Sequence, residues 1–150
     1  MKRIIFFTNS FNIFAMFIIV SFINIIATVH FMSIFLAGTV FVAFIICLKN
    51  KFWYSLVLVI FTYVFIEISH GLNIGILTLL SLFIYIFIKE KIKNYFTSDL
   101  TYIVILLFIF YLGIFILFMI NYDLDFMFIY IIFLNYFIDL LVLSFLLGGI

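Results

Sequence analysis

The sequence is poor in charged residues, has one cysteine and has no proline. Only 9% of its 150 residues are charged, whereas 71% are hydrophobic. A soluble domain of this length has too little interior to hide that much apolar surface from water. The few basic residues form no extended patch, which excludes nucleic-acid binding. The single cysteine, Cys47, can form no disulfide within the chain, and its position in an apolar run predicts a packing role.

The abundance of apolar residues predicts that the solvent around this chain is lipid. In hydrocarbon an unpaired backbone N–H or C=O costs several kcal/mol, so only α-helices and closed barrels can span it. Barrel strands alternate apolar and polar residues in segments of about ten, but this chain stays apolar on both faces for 17 residues or more between polar breaks. We therefore predict an all-α, polytopic integral membrane protein folded as a compact bundle.

The lengths of the apolar runs predict six transmembrane helices. A hydrocarbon core of about 30 Å takes roughly 20 helical residues, so the run from Ile4 to Leu48 is too long for one crossing and must fold back once. We place the bend at Thr28 to Ser33, around His30, although no Gly-Pro or Asn-Gly pair marks it; a bend near Asn24 is the alternative. The prediction is a single transmembrane domain, 1–150, with spans at about 4–28, 31–48, 52–68, 72–88, 100–120 and 126–147.

The basic residues predict the orientation of these spans. Short loops that carry lysine or arginine stay on the cytoplasmic side, and with six spans all seven basic residues fall on one side of the membrane. The amino and carboxyl ends are therefore predicted inside. Trp53 and Tyr54, which follow Lys51, are predicted to anchor the chain at the interface. The cytoplasmic basic segments are Lys2 and Arg3; Lys49 and Lys51; and Lys89, Lys91 and Lys93.

An acid and a histidine lie together at the end of the third span. Glu67 and His70 are three residues apart, so they share a face if the helix continues. Such a pair can ligate a metal, but di-iron bundles use the motif twice with two further carboxylates, and we predict no metal site. Two interpretations remain, a pair wetted at the outer surface and a contact with a neighbouring helix or partner.

A second polar pair, Asn135 and Asp139, lies in the last span. A charge at mid-membrane costs roughly 2.5 to 3.5 kcal/mol on insertion scales, so it normally faces the bundle interior and has a partner. The i, i+4 spacing puts both side chains on one helix face. We predict a polar seam in which Asp139 bonds to a neighbouring helix, because a proton or ion relay would need a chain of such groups.

Gly71 and Gly75 follow the first polar pair at a Gly-x3-Gly spacing. This spacing allows two helix backbones to approach closely, but turn geometry between two helices explains the glycines equally well. If the junction is a packing element, Gly71→Leu and Gly75→Leu should disturb assembly more than Glu67→Gln. No phosphate-binding loop, cysteine pair, histidine cluster or Ser/His/Asp arrangement is visible, so we predict neither an enzyme nor a cofactor.

The segment from Glu67 through Gly71 and Gly75 resembles a recurring stretch of the MreD family, small membrane proteins of the bacterial rod-shape machinery. In that family an acid closes one span, a glycine follows about four residues later, and a second glycine stands near the start of the next span. That span then runs into a tyrosine and a basic loop, as Tyr85 does here before Lys89 to Lys93. Total length and Asn135 in the last span are also similar.

The resemblance implies a non-catalytic scaffold in the bacterial cytoplasmic (inner) membrane. The implied partners are an MreC-like bitopic protein, an actin-like protein on the cytoplasmic face, and the polymerase and transpeptidase that build peptidoglycan during cell elongation. Helix packing or partner contact is then the expected role of the residues at the two polar sites, namely Glu67, His70, Gly71, Gly75, Asn135 and Asp139.

A transporter subunit is the alternative. Substrate-binding subunits of energy-coupling-factor transporters for vitamins or metals are also small six-helix proteins, and they need converging polar groups near the outer surface. The side chains that could supply them are Glu67, His70, Asn73, Asp123 and Asp125.

Overall fold

The structure is a computed structural model that describes residues 10–29, 34, 36–88, 91, 99–121 and 126–146. All regular secondary structure in these ranges is helical, which confirms the predicted all-α class. The helices are α1 (Ser10–Val29), α2 (Ala37–Asn50), α3 (Trp53–Ser69), α4 (Ile76–Phe83, continued by a π-helical segment Ile84–Ile88), α5 (Asp99–Asn121) and α6 (Phe126–Leu146).

The first apolar run folds back after α1. This helix continues through Asn24 to Val29, so the alternative bend near Asn24 is wrong. Most of the predicted bend, including His30, lies outside the described residues. Helix α2 begins only at Ala37, several residues later than the predicted second span, and Leu36 before it has a left-handed backbone with φ 31°.

Helix α2 is the centre of the bundle. Every residue from Leu36 to Cys47 is buried, and α2 contacts α3, α4, α5 and α6, while α1 packs chiefly against α3. A helix that other elements cover on all sides is normally apolar all round. Aromatic stacking contributes to this cover, since the rings of Phe41 and Phe110 lie nearly parallel with centroids 4.3 Å apart.

The turns after α2 and α3 have the same backbone hydrogen bonds. After α2, the Lys51 N–H donates to the Leu48 carbonyl (3.4 Å) and the Phe52 N–H donates to the Cys47 carbonyl (3.0 Å). This pair of bonds is the Schellman motif, which puts one residue in the left-handed region. Lys51 is that residue, with φ 58°.

After α3 the left-handed residue is a glycine. The Gly71 N–H donates to the Ile68 carbonyl (3.4 Å), the Leu72 N–H donates to the Glu67 carbonyl (2.8 Å), and Gly71 has φ 69°. Gly75 adds a second positive φ of 92° before α4 begins. Two left-handed glycines within five residues reverse the chain, which explains why α4 begins at Ile76 and not at the predicted residue 72.

Large apolar side chains cover the outside of the bundle. Exposed examples are Phe11 (73%) on α1, Phe61 (60%) on α3, Leu79 (67%) on α4, Ile116 (54%) on α5 and Phe145 (81%) on α6. Within the described residues, one helix segment, Thr101–Ile120, is long and apolar enough to cross a membrane. The remaining apolar helix segments are shorter, and they are Phe14–Ala27, Ala37–Asn50, Trp53–Ser69, Ile76–Ile88 and Ile129–Phe145.

Candidate functional site

The carboxyl group of Asp139 on α6 binds the amino-terminal end of α2. Its Oδ2 accepts the Gly38 N–H (2.8 Å) and its Oδ1 accepts the Thr39 N–H (2.9 Å). The Thr39 hydroxyl donates to Oδ1, and the Tyr111 hydroxyl of α5 donates to Oδ2. Asp139 has no exposed surface. An ionised carboxylate is an acceptor only, and these four donors satisfy both of its oxygens.

This bonding compensates for a missing cap on α2. The first N–H groups of a helix have no partner within it, and a Ser, Thr, Asp or Asn at the N-cap usually supplies one. The N-cap residue here is Leu36, which makes no side-chain cap. Asp139 reaches in from another helix and accepts the second and third N–H groups, where the helix dipole also favours negative charge. Three helices are thereby joined at one buried point.

Gly38 permits this close approach. A Cβ added to Gly38 would lie 2.7 Å from Asp139 Oδ2 and would also overlap a methyl group of Leu107 on α5. Asp139 cannot retreat without lengthening its bonds to α2, so any larger residue would force the helices apart. Gly38 lies within helix α2, so its backbone conformation is one that any residue could adopt. The position therefore requires glycine because there is no space for a side chain.

Glu67 performs the same task for α4. Its Oε2 accepts the Gly75 N–H and its Oε1 accepts the Leu77 N–H, both at 2.7 Å. The N-cap residue of α4 is Gly75, which has no side chain to offer. Because the Glu67 carbonyl also accepts the Leu72 N–H, this one residue binds the α3–α4 turn at three points.

The interpretation of Glu67 as a wetted surface residue is wrong. Its exposed fraction is 0%, because the α3–α4 turn folds over it. His70 also does not form the side-chain pair that was expected with Glu67. Its Nε2 lies 3.4 Å from Oδ1 of Asn24 on α1, and Asn24 is itself fully buried and donates to the Val20 carbonyl (2.9 Å). His70 therefore ties the turn to α1.

Burial also affects the titration of His70. The imidazole is in the turn after α3, and burial lowers its pKa from the ordinary value of 6.5 because the charged form loses hydration. In the part of the chain that the structure describes, no three His, Cys, Asp or Glu side chains come together as metal ligands.

A further polar contact lies between the two carboxyl sites. The Ser81 hydroxyl donates to the Leu77 carbonyl (2.7 Å), so the Tyr63 hydroxyl donates to Ser81 Oγ (2.8 Å). Tyr63 is fully buried. This contact joins α3 to α4 at a second buried point, besides Glu67.

The remaining predicted site residues have simpler roles. The region around a Cβ added to Gly75 is open, with nothing within 4 Å, so the turn explanation and not close helix approach accounts for this glycine. Asn135 is fully buried on the same face as Asp139, and its amide donates to the Ile131 carbonyl (2.9 Å). Cys47 is a buried free thiol, consistent with packing.

The polar and basic residues of the predicted loops are described only in part. Lys49, Lys51 and Lys91 are exposed, and so is Asn73 in the α3–α4 turn. Other members of both predicted sets lie outside the described residues: Lys2, Arg3, Lys89, Lys93, Asp123 and Asp125.

Sequence reasoning missed the partners of Asp139. Gly38 and Thr39 carried a weak signal, as a glycine and a hydroxyl residue inside an apolar run, and Tyr111 carried less because aromatic residues are 23% of the chain. Nothing in the spacing could show that residues 100 positions apart would meet.

Comparison with known proteins adds no relative. No protein-family model matches the chain, and neither a curated protein nor a solved structure matches it. The bonding of Asp139 and Glu67 and the amino-acid sequence are therefore the basis of the proposed function.

Proposed function

We propose that this chain is a multi-pass membrane protein with six transmembrane helices and both ends in the cytoplasm. The observation that supports lipid as its solvent is the bundle's outer surface, which carries exposed Phe, Ile and Leu on five of the six helices. In water such a surface would aggregate, because contiguous apolar patches larger than a few hundred Å² are rare on soluble monomers. Exposed lysines occur in the last turn of α2 and directly after it, at Lys49 and Lys51, and Lys91 is also exposed.

We further propose that it serves as a non-catalytic scaffold of the bacterial cell-elongation complex, the role implied by its resemblance to the MreD family. The observation that carries this proposal is the bonding of Glu67 and Asp139, the two acids that are buried among the described residues. The carboxylate oxygens of Asp139 and Glu67 accept hydrogen bonds from backbone N–H groups at helix starts. These bonds fix the arrangement of the helices. A rigid core with wide apolar faces suits contact with the membrane spans of other proteins through packing.

Site-specific photocrosslinking tests the scaffold role. A crosslinking residue placed at exposed positions on α5 and α6, such as Ile116, Phe133 and Phe145, should capture an MreC-like protein or the cell-wall polymerase on at least one face. Buried Leu107 and Leu143 are matched controls on the same helices and should give no partner crosslink. If no exposed position crosslinks either partner, and cells depleted of the protein keep normal rod shape, the proposal is wrong.

The transporter-subunit alternative predicts ligand binding. Glu67 is poorly suited to it, because both carboxylate oxygens are already bonded to the α4 backbone. A ligand at 100 times its dissociation constant stabilises the folded state by roughly 2.7 kcal/mol. Thermal unfolding of the purified protein with vitamins and divalent metals therefore separates the two: a scaffold should show no shift, and a transporter subunit a clear one.

A further inference from the structure

The α2–α3 turn presents a compact basic and aromatic surface. Lys49, Asn50 and Lys51 are exposed, and so are Trp53 (66%) and Tyr54 (92%). Because the Schellman bonds close this turn within two residues, both lysines and both aromatic rings are held at one end of the bundle. No acidic residue occurs between Lys49 and Ile66, so no neighbour in sequence neutralises the lysines.

A second, independent feature of this surface is the backbone of Lys51, whose conformation is unusual for a lysine. The same motif after α3 uses Gly71, whereas the motif after α2 puts a lysine in the left-handed region. A Cβ disfavours this conformation, and Gly or Asn usually fills it. The lysine at this position thus holds a costly backbone conformation while presenting its ammonium group outward.

We propose that this turn, comprising Lys49, Lys51, Trp53 and Tyr54, binds the phosphodiester headgroups of anionic membrane lipids. The two ammonium groups attract the phosphate charge, which is worth about 1 kcal/mol, or fivefold in binding, per lysine near an anionic surface. Trp and Tyr rings prefer the headgroup level of a bilayer, since they combine an apolar body with a polar edge. This inference rests on the proposed membrane location and adds the lipid class and the residues that select it.

The chain contains a built-in probe for the test, because Trp53 is its one tryptophan. The full protein is reconstituted in phosphatidylcholine vesicles that contain a small, equal fraction of brominated phosphatidylglycerol or brominated phosphatidylcholine. Bromine quenches tryptophan fluorescence only at short range, so the ratio of the two quenching strengths measures local enrichment of the anionic lipid. We expect a preference of about fivefold or more at low salt that weakens as salt screens the charges.

Three variants make the result specific. Lys49→Gln with Lys51→Asn removes both charges while keeping a residue that tolerates the left-handed backbone, and should bring the ratio close to one. Lys49→Arg with Lys51→Arg keeps the charges and should keep the preference. Lys91→Gln removes one charge from another predicted basic segment, three residues beyond Ile88, and should change the ratio little.

Two results would overturn the inference, and a third concerns the proposed function instead. Equal quenching of the original protein by both brominated lipids would show no selectivity at the turn. If Lys91→Gln, which removes one charge, loses about half as much preference on a logarithmic scale as the double variant, which removes two, then net charge, and not this surface, selects the lipid. If neither brominated lipid quenches Trp53, the turn does not lie at a bilayer, and the membrane assignment itself fails.

Discussion

Asp139 accepts hydrogen bonds from α2 and α5 at one buried point. Replacing it with leucine leaves the Gly38 and Thr39 N–H groups buried without partners, at roughly 1 to 3 kcal/mol for each unsatisfied group. For these two groups together, we expect Asp139→Leu to lower the free energy of unfolding by about 2 to 6 kcal/mol. Asp139→Asn, which keeps one acceptor oxygen, should cost less.

Thr39→Val completes this series. It removes only the hydroxyl donor and should cost about 1 kcal/mol. Chemical or thermal unfolding of the purified proteins in the same detergent gives the order. If Asp139→Leu is as stable as the original protein, Asp139 does not cap α2.

Gly38 tests the space around the same carboxylate. Gly38→Ala should destabilise the protein by about 1 to 3 kcal/mol, because the added methyl group overlaps Asp139 and Leu107. Gly113→Ala on α5 is the matched control, since the three atoms nearest to its Cβ would all belong to the side chain of Leu80, which is half-buried and can move. Equal unfolding temperatures for the two variants would contradict the account of Gly38.

Gly75 separates turn geometry from helix packing. At φ 92° alanine should cost roughly 1 to 2 kcal/mol, while asparagine, which tolerates the left-handed region, should cost less despite its larger side chain. Helix packing predicts the reverse order, because the larger residue would separate the helices more. Unfolding temperatures of Gly75→Ala and Gly75→Asn in one detergent decide between them.

At the scale of elements, the α3–α4 turn should make stability depend on pH through His70. In the folded protein the pKa of His70 is below 6.5, so between these two values the unfolded chain binds more protons than the folded one. The stability that depends on the neutral imidazole is complete above about pH 6.5 and is lost as the pH falls toward the lower folded pKa. His70→Gln should therefore lose less stability than the original protein between pH 7.5 and about pH 5.5. The same slope in both proteins, measured by thermal unfolding, would show that His70 is not responsible.

How far the elements could be predicted depends on what ends each helix. The predicted fifth and sixth spans, 100–120 and 126–147, agree closely with α5 and α6, because polar residues interrupt the apolar runs at those points. The start of α2 was missed by six residues, because its cap is Asp139, a residue 100 positions away, and no local signal marks it. The start of α4 was missed because the spacing of Gly71 and Gly75 fits both a turn and close helix packing. The sequence therefore did not show that the turn extends to Gly75.

At the scale of the whole molecule, hydropathy predicted the helices but could not show which of them lies at the centre of the bundle. Helix α2 is less apolar than α1 and α3, the helices before and after it, yet it is the central helix and the others surround it. The predicted seam of Asn135 and Asp139 does lie on one buried face, since helical periodicity determines that much. Which helix it faces depends on tertiary contacts between distant segments.

Cysteine labelling of the two helix turns tests the six-span, inside-ended topology most directly. Cys47→Ala removes the single, buried cysteine, and Asn50→Cys or Asn73→Cys then places one thiol at an exposed position in each turn. A membrane-impermeant maleimide is applied to spheroplasts before and after lysis. The account predicts that Asn73→Cys reacts in intact spheroplasts and that Asn50→Cys reacts only after lysis. Labelling of Asn50→Cys before lysis, or of both positions from the same side, would contradict it.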